Sequence, residues 1–384
     1  VTAPPIRDGF VAVHEGVVTG VGPIGERPPG PGLREVDLGS TILMPGFVNA
    51  HTHLELSHLA GAVPGARGFV PWIEDQLRVR AERAGDDVEA AIRKAIASLV
   101  ASGTAAVADV SNSLAAVGPL GESTLHALVL HEILGFDPAK AALVMEQTRA
   151  SRAVAKAGAP GVRVEVAAHA PHSISREFFA LLMKDSGVKS IHVAESRAED
   201  DFLRDGSGDW REFLDRRVGR VPFAAPGMTP VRYLEALGVL RPGMLAVHCV
   251  RVDETDAKLL AERGAFAVLC PRSNEYLGNG VPPLAMLLGS GVGIALGTDS
   301  LASCPSLDVL EDARDLARKF PRVPRSALLH ALTRGGAMAL GFEDLGEIRE
   351  GAAARFATLA FEGTAPRDPV AFALSEAVPA RGVA

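Results

Sequence analysis

Only three cysteines occur in 384 residues, Cys249, Cys270 and Cys304, and none has C-x-x-C spacing. An odd count at scattered positions argues against a disulfide framework and suits a reducing compartment, so a cytoplasmic location is expected. Positive charge is also short. Lys and Arg number 39 against 46 Asp and Glu, a net charge of −7, which excludes a role built on nonspecific attraction to nucleic acid or an anionic membrane. No apolar run approaches the ~18 residues of a membrane span. No basic, apolar leader precedes the first strands, although a chain opening on Val1 leaves an already removed leader open. Low-complexity tracts and tandem repeats are missing too. What is present is an ordinary globular composition, 47% hydrophobic and 22% charged, able to bury a large core. A small-molecule partner is expected, and a homo-oligomer stays open.

The first forty residues read as short alternating strands, Gly9 to His14 and Gly16 to Gly22, followed by a Pro/Gly-rich link from Glu26 to Gly32. From Pro45 the rhythm changes to short apolar runs, each followed by a segment of helical spacing such as Val88 to Ser102 or Asp253 to Gly264. Eight such strands can be counted: Gly46 to Asn49, Thr104 to Asp109, Ala127 to Ile133, Val162 to Ala168, Lys189 to Val193, Met244 to Val247, Ala265 to Leu269 and Val292 to Leu296. Eight alternating units are what a closed (β/α)8 TIM-type barrel requires, and no G-x-G-x-x-G follows the first strand to favour an open doubly wound sheet. After a helical stretch from Ser326 to Leu340, strand-like pieces return at Gly346 to Arg349 and Arg355 to Phe361. The expected α/β architecture is therefore a barrel over 45–340 with a small β-sandwich made from 1–44 and 341–384.

The chemistry-bearing residues gather at the ends of these strands. His51-Thr52-His53 follows the first; alternation with period two points both imidazoles to one side, which at the C-terminal end of a barrel strand is the mouth of the active site. His192-Val-Ala-Glu195 ends the fifth. Residues three apart reach one site only if the chain leaves the sheet between them; His192 is then a third ligand and Glu195 stands beside the metal as a proton carrier, the alternative being a helix N-cap. His248 ends the sixth strand and Asp299 the eighth. Singly, each is more often a hydrogen-bonded or capping residue. Together they make a three-histidine, one-carboxylate metal site with a further histidine beside it.

The runs Pro45-Gly-Phe-Val-Asn-Ala-His-Thr-His53, His192-x-x-Glu195, His248 and Gly297-Thr-Asp-Ser300 resemble the metal-dependent amidohydrolase superfamily in its deaminase and chlorohydrolase branch. The resemblance covers nearly the whole chain, from Asp8-Gly-Phe-Val-Ala-Val-His14 to Gly346-Glu-Ile-Arg-Glu-Gly351, with two departures: His172 where many members have Tyr, and Phe356 where an Asp is usual. Binuclear members carry a carboxylated Lys on strand four; Val162 to Ala170 has no Lys, so the resemblance implies one divalent metal. Zinc is favoured, with iron or manganese as alternatives. Asn49-Ala-His-Thr-His-Leu-Glu-Leu-Ser57 and His131-Glu-Ile-Leu-Gly-Phe136 look most like 6-aminodeoxyfutalosine deaminases of the alternative menaquinone pathway. This implies hydrolysis of an aminated purine, with the metal making hydroxide available at neutral pH, Asp299 and His248 orienting the water, and Glu195 moving the proton to the ring. Rival readings are another deaminase, a triazine chlorohydrolase or an amide hydrolase, and a metal-free binding relative. Substrate contacts are implied for His169, His172, Arg272 and Asn274, just beyond strands four and seven. Arg197 or Arg272 would supply a cation for the substrate's carboxylate, and Trp72 suits a pocket wall or the core equally.

Overall fold

A computed structural model of the protein describes residues 3–27, 34–65, 67–185, 187–375 and 378–383. The hairpin of β1 (Gly9–His14) and β2 (Val17–Pro23) opens the chain, and β3 (Thr41–Pro45) follows. Beyond residue 27, the Pro/Gly-rich link lies outside the described residues.

The barrel consists of β4 (Phe47–Thr52), β5 (Thr104–Ser111), β6 (His126–Ile133), β7 (Arg163–Ala168), β8 (Ser190–Val193), β9 (Leu245–His248), β10 (Phe266–Leu269) and β11 (Gly293–Leu296). All neighbours are parallel and in sequence order. Each strand coincides with one of the eight expected apolar runs, because strands buried on both faces need continuous apolar sequence. Alternate residues Val48, Ala50, Ala106, Ala108, Leu128, Leu130, Val247 and Val268 form one buried cluster, met from below by Ala337 and Leu340. The helical stretch at 325–340 carries a π segment, Ala331–Gly335. It presses so closely that a Cβ on Gly336 would sit 2.7 Å from that of Val48.

The two ends of the sheet meet at a polar seam. Asn49 Nδ2 donates to Thr298 Oγ1 at 2.8 Å, and the His51 carbonyl accepts from the backbone N–H groups of Thr298 and Asp299 at 3.0 and 3.1 Å. Thr52 Oγ1 completes it by donating to the Asp299 carbonyl at 3.0 Å. Gly297 is required here, since a Cβ would lie 2.7 Å from that of His51.

After the barrel, β12 (Phe356–Ala360) pairs antiparallel with β3 and with β13 (Arg381–Val383). Gly346 to Arg349, expected as a strand, is irregular. Gly346 takes φ +81°, and Glu347 turns back to Arg334 and Arg349, which breaks the extended run. The chain instead meets the hairpin through 352–354: Val18 N–H donates to the Ala352 carbonyl and Ala354 N–H to that of Gly16, both at 2.8 Å. The two small sheets then pack through Val18, Ala354 and Phe356.

Candidate metal and catalytic site

Val48 and Ala50 line the barrel interior, so a regular strand would turn His51 and His53 outward. The register of β4 against β5 shifts between Asn49 and Thr52, and such an irregularity re-aims side chains. His51 and His53 thereby join the interior side, with ring centroids 4.9 Å apart. The His192 ring lies 4.9 Å from His51 and 5.1 Å from His248. Asp299 Oδ1 stands 3.9 Å from His51 Nε2 and 3.6 Å from His53 Nε2. Ligand atoms of His51, His192 and His248, and of His51, His53 and Asp299, lie within 4.8 Å of one another.

The backbone leaves the sheet abruptly around this cluster. Ala194, His248 and Asp299 adopt φ of +51°, +75° and +61°; such strain in residues other than glycine persists only where the surroundings hold it. The Ala194 turn lets His192 and Glu195 face one site. Glu195 Oε2 is 3.8 Å from His248 Nε2, and its Oε1 accepts from Asn279 Nδ2 at 3.1 Å. The helix after Glu195 is capped by Ser196, not by Glu195.

Electrostatics favour a cation at the centre. Burial, reinforced by His192, His53 and His248, holds the His51 imidazole well below its ordinary pKa, hence neutral. Both of its ring nitrogens are buried without a hydrogen-bond partner among the described residues, a costly arrangement that a transition metal ion would relieve. Burial likewise brings His248 down to about 3. Burial works against charge on His192 as well, but Glu132 Oε1, 3.3 Å from His192 Nε2, draws it up to about 9. Positive charge is therefore favoured at that position. Burial would raise Asp299, yet His53, His248 and the Ser273 hydroxyl hold it below the ordinary carboxyl range. Its Oδ2 accepts from Ser273 Oγ at 2.6 Å and Ser303 Oγ at 3.1 Å. Glu195 moves the other way: burial lifts its carboxyl to about 8, so it carries a proton near neutrality. The histidines and carboxylate present fit a divalent transition metal with a protonated carboxyl beside it.

Of the expected substrate contacts, His169 is close, its ring 5.3 Å from His192 and its Nδ1 2.7 Å from Ser173 Oγ. Asn274 Oδ1 lies 2.9 Å from His248 Nδ1 and orients that imidazole. His172 faces Glu199 and Trp210. Trp72 packs with Leu56, Leu59, Val63 and Leu277, which is core packing. The two arginines are corrections to the sequence reading. Arg197 is 82% exposed and pairs with Asp201 one turn on, its side chain pointing to solvent while Glu199 in the same turn is buried. Arg272 turns away to Asp312, Ser306 and the Asp308 carbonyl, which engage all three of its guanidinium nitrogens. Sequence reasoning also passed over Glu132, Asn279, Ser273 and Ser303. A signal existed for Glu132, which continues the inward series Leu128, Leu130 by one more step; the others are visible only once loops from different units meet.

A family model described as the amidohydrolase family matches residues 42–383. Among curated relatives, the 5-methylthioadenosine/S-adenosylhomocysteine deaminase of Pelotomaculum thermopropionicum is 31% identical over 361 residues, spanning 90% of this chain and 78% of the relative. Among solved structures, Helicobacter pylori aminofutalosine deaminase with methylthio-coformycin superposes with a TM-score of 0.82 at 24% identity, over 96% of this chain and 91% of that one. An adenosine deaminase from Xanthomonas campestris with bound zinc gives a TM-score of 0.73 at 24% identity, over 96% and 84%. At such identity the structural likenesses speak to the fold.

Proposed function

Because the chain belongs to the amidohydrolase family and is a hydrolytic deaminase of carbon–nitrogen bonds other than peptide bonds, we propose that it deaminates the aminated purine of an elongated nucleoside. The substrate put forward is 6-aminodeoxyfutalosine, hydrolysed to futalosine and ammonia in menaquinone biosynthesis. The observation that carries the reading is Glu195, a buried carboxyl held by Asn279 beside His248 and the metal-type cluster. Amide hydrolysis has less use for a carboxyl that protonates an aromatic nitrogen, and the substrate panel below separates a triazine from a purine.

In this reading His51, His53, His192 and Asp299 hold one divalent ion, zinc before iron or manganese. When bound, the ion supplies Lewis acidity that makes hydroxide available at neutral pH. His248, oriented by Asn274, and Asp299, oriented by Ser273 and Ser303, direct the attacking water. Glu195 gives its proton to the ring nitrogen beside the amine-bearing carbon, takes another from the hydroxyl that the attacking water has added to that carbon, and passes it to the amine, which leaves as ammonia while the carbonyl forms; such transfer is worth ~10²- to 10⁴-fold in rate. His169 contacts the bound nucleoside. Residues 45–340 form the hydrolase unit, with 1–44 and 341–384 as its companion sandwich. The three cysteines, all free and buried, suit a reducing cytoplasm.

A second substrate, 5′-methylthioadenosine or S-adenosylhomocysteine, is favoured by the 31%-identical relative and by the pairing of Arg197 and Arg272 with carboxylates of the protein itself, which leaves neither for the carboxylate of aminodeoxyfutalosine. Ammonia release from a panel of aminodeoxyfutalosine, 5′-methylthioadenosine, S-adenosylhomocysteine, adenosine and an aminotriazine decides. Fastest turnover of aminodeoxyfutalosine is expected; a methylthio compound turning over faster replaces the substrate, and a triazine alone rejects the nucleoside reading.

A further inference from the structure

Ser196-Arg-Ala-Glu199 has the capping-box pattern, in which the fourth residue normally reaches back to the backbone N–H of the first. Ser196 performs its half, its Oγ accepting from the Glu199 N–H at 3.3 Å. Glu199 does something different. Its Oε2 accepts from the backbone N–H of Glu195 at 2.8 Å, one residue further back, immediately after the left-handed Ala194. Its side chain is fully buried, and its other oxygen, without a hydrogen bond, faces His172 Nδ1 at 3.6 Å. Neither nitrogen of His172 makes a hydrogen bond among the described residues. That imidazole lies edge-on to Trp210, with centroids 4.4 Å apart, and Trp210 Nε1 donates to its carbonyl at 2.9 Å. The other titratable groups around this carboxyl are Glu195 itself, Asp200, tied to Arg251, and Cys249.

A cap alone does not call for a carboxyl buried this deeply against an imidazole, because a solvated Glu caps equally well. We propose that Glu199, backed by His172, is a positioning residue for Glu195: it holds the strained turn so that the Glu195 carboxyl stays against His248 and Asn279. The inference rests on Glu195 being the proton carrier.

The test compares Glu199→Ala, Glu199→Gln, Glu195→Gln and the double variant Glu195→Gln/Glu199→Ala, using ammonia release from the nucleoside turned over fastest in the panel, with metal content and Tm measured alongside. Glu199→Ala is expected to lower kcat by ~10-fold or more, with KM within about threefold and metal retained, since small misplacement of a reacting group is costly. Glu199→Gln keeps an acceptor for the N–H and restores most of kcat. In the Glu195→Gln background, Glu199→Ala costs nothing further, because it acts through Glu195. Wild-type kcat in Glu199→Ala, no rescue by Gln, or an undiminished loss in the double variant overturns the inference. Should Glu199→Ala fail to fold, His172→Gln stands in for it: a kcat reduced by ~3-fold at unchanged KM is expected, and wild-type kcat overturns the inference. A fully active Glu195→Gln would instead remove the proton-carrier reading itself, whereas an inactive Glu195→Gln with an unaffected Glu199→Ala removes this inference alone.

Discussion

Arg272 and Ser273, adjacent in sequence, serve two buried polar clusters of opposite kind. Arg272 spends its guanidinium on Asp312, Ser306 and the Asp308 carbonyl, and its salt bridge to fully buried Asp312 measures 2.7 Å. Ser273 holds Asp299, whose free oxygen faces imidazoles that have no proton donor to offer it in ordinary hydrogen-bonding range. The first cluster is closed by the protein's own atoms. The second leaves both nitrogens of His51 bare. Buried polar groups are ordinarily satisfied, and in the second cluster the bare nitrogens belong to converging histidines and a carboxylate whose ligand atoms lie within 4.8 Å of one another, an arrangement that suits a metal ion.

That contrast has measurable consequences. Opening the second cluster further should cost function most: His51→Ala is expected to abolish metal binding and, with several kcal/mol of Lewis-acid assistance gone, to lower kcat/KM by ~10³-fold or more. Metal analysis and ammonia release check it, and a chelated wild-type enzyme should behave alike. Glu195→Gln is expected to keep the metal and Tm but lower kcat by at least ~10²-fold; full activity with a lowered Tm would return Glu195 to a structural role. In the closed cluster the loss falls on stability. Arg272→Met leaves buried Asp312 unpaired and should cost about 3–5 kcal/mol in urea unfolding, while KM of the surviving folded enzyme changes less than twofold. A large KM effect there would restore Arg272 to the substrate. The smallest effect belongs to exposed Arg197: Arg197→Met should change stability by less than ~0.5 kcal/mol and leave turnover of aminodeoxyfutalosine unaltered.

The same contrast explains which residues were legible beforehand. His51, His53, His192, His248 and Asp299 each end an apolar strand, and strand ends are marked by a local change of composition. The turn that brings His192 and Glu195 together was required by their spacing, and the structure supplies it at Ala194. Lying just past a strand says where the backbone of Arg272 goes, not which of two neighbouring clusters its long side chain enters, and the structure puts it on Asp312 and Ser306. Trp72 was undecided for the same reason. Gly346 to Arg349 was misread as a strand because four residues hold too little alternation to outweigh a glycine at positive φ and a competing pair of arginines.

The order of strands and helices, the eightfold count and the set of strand-end histidines and carboxylates were determined by the sequence itself, since burial on both faces of a parallel strand demands a continuous apolar run. Only the tertiary structure decided how the ring closes and what surrounds each of these side chains. Asn49 meets Thr298 across 249 residues, and a register shift in β4 turns His51 inward. Asn279 reaches Glu195 from 84 residues away. Such partners are chosen by three-dimensional proximity after the sheet has curled and closed, and no local pattern of residues encodes a distance between loops that meet only then.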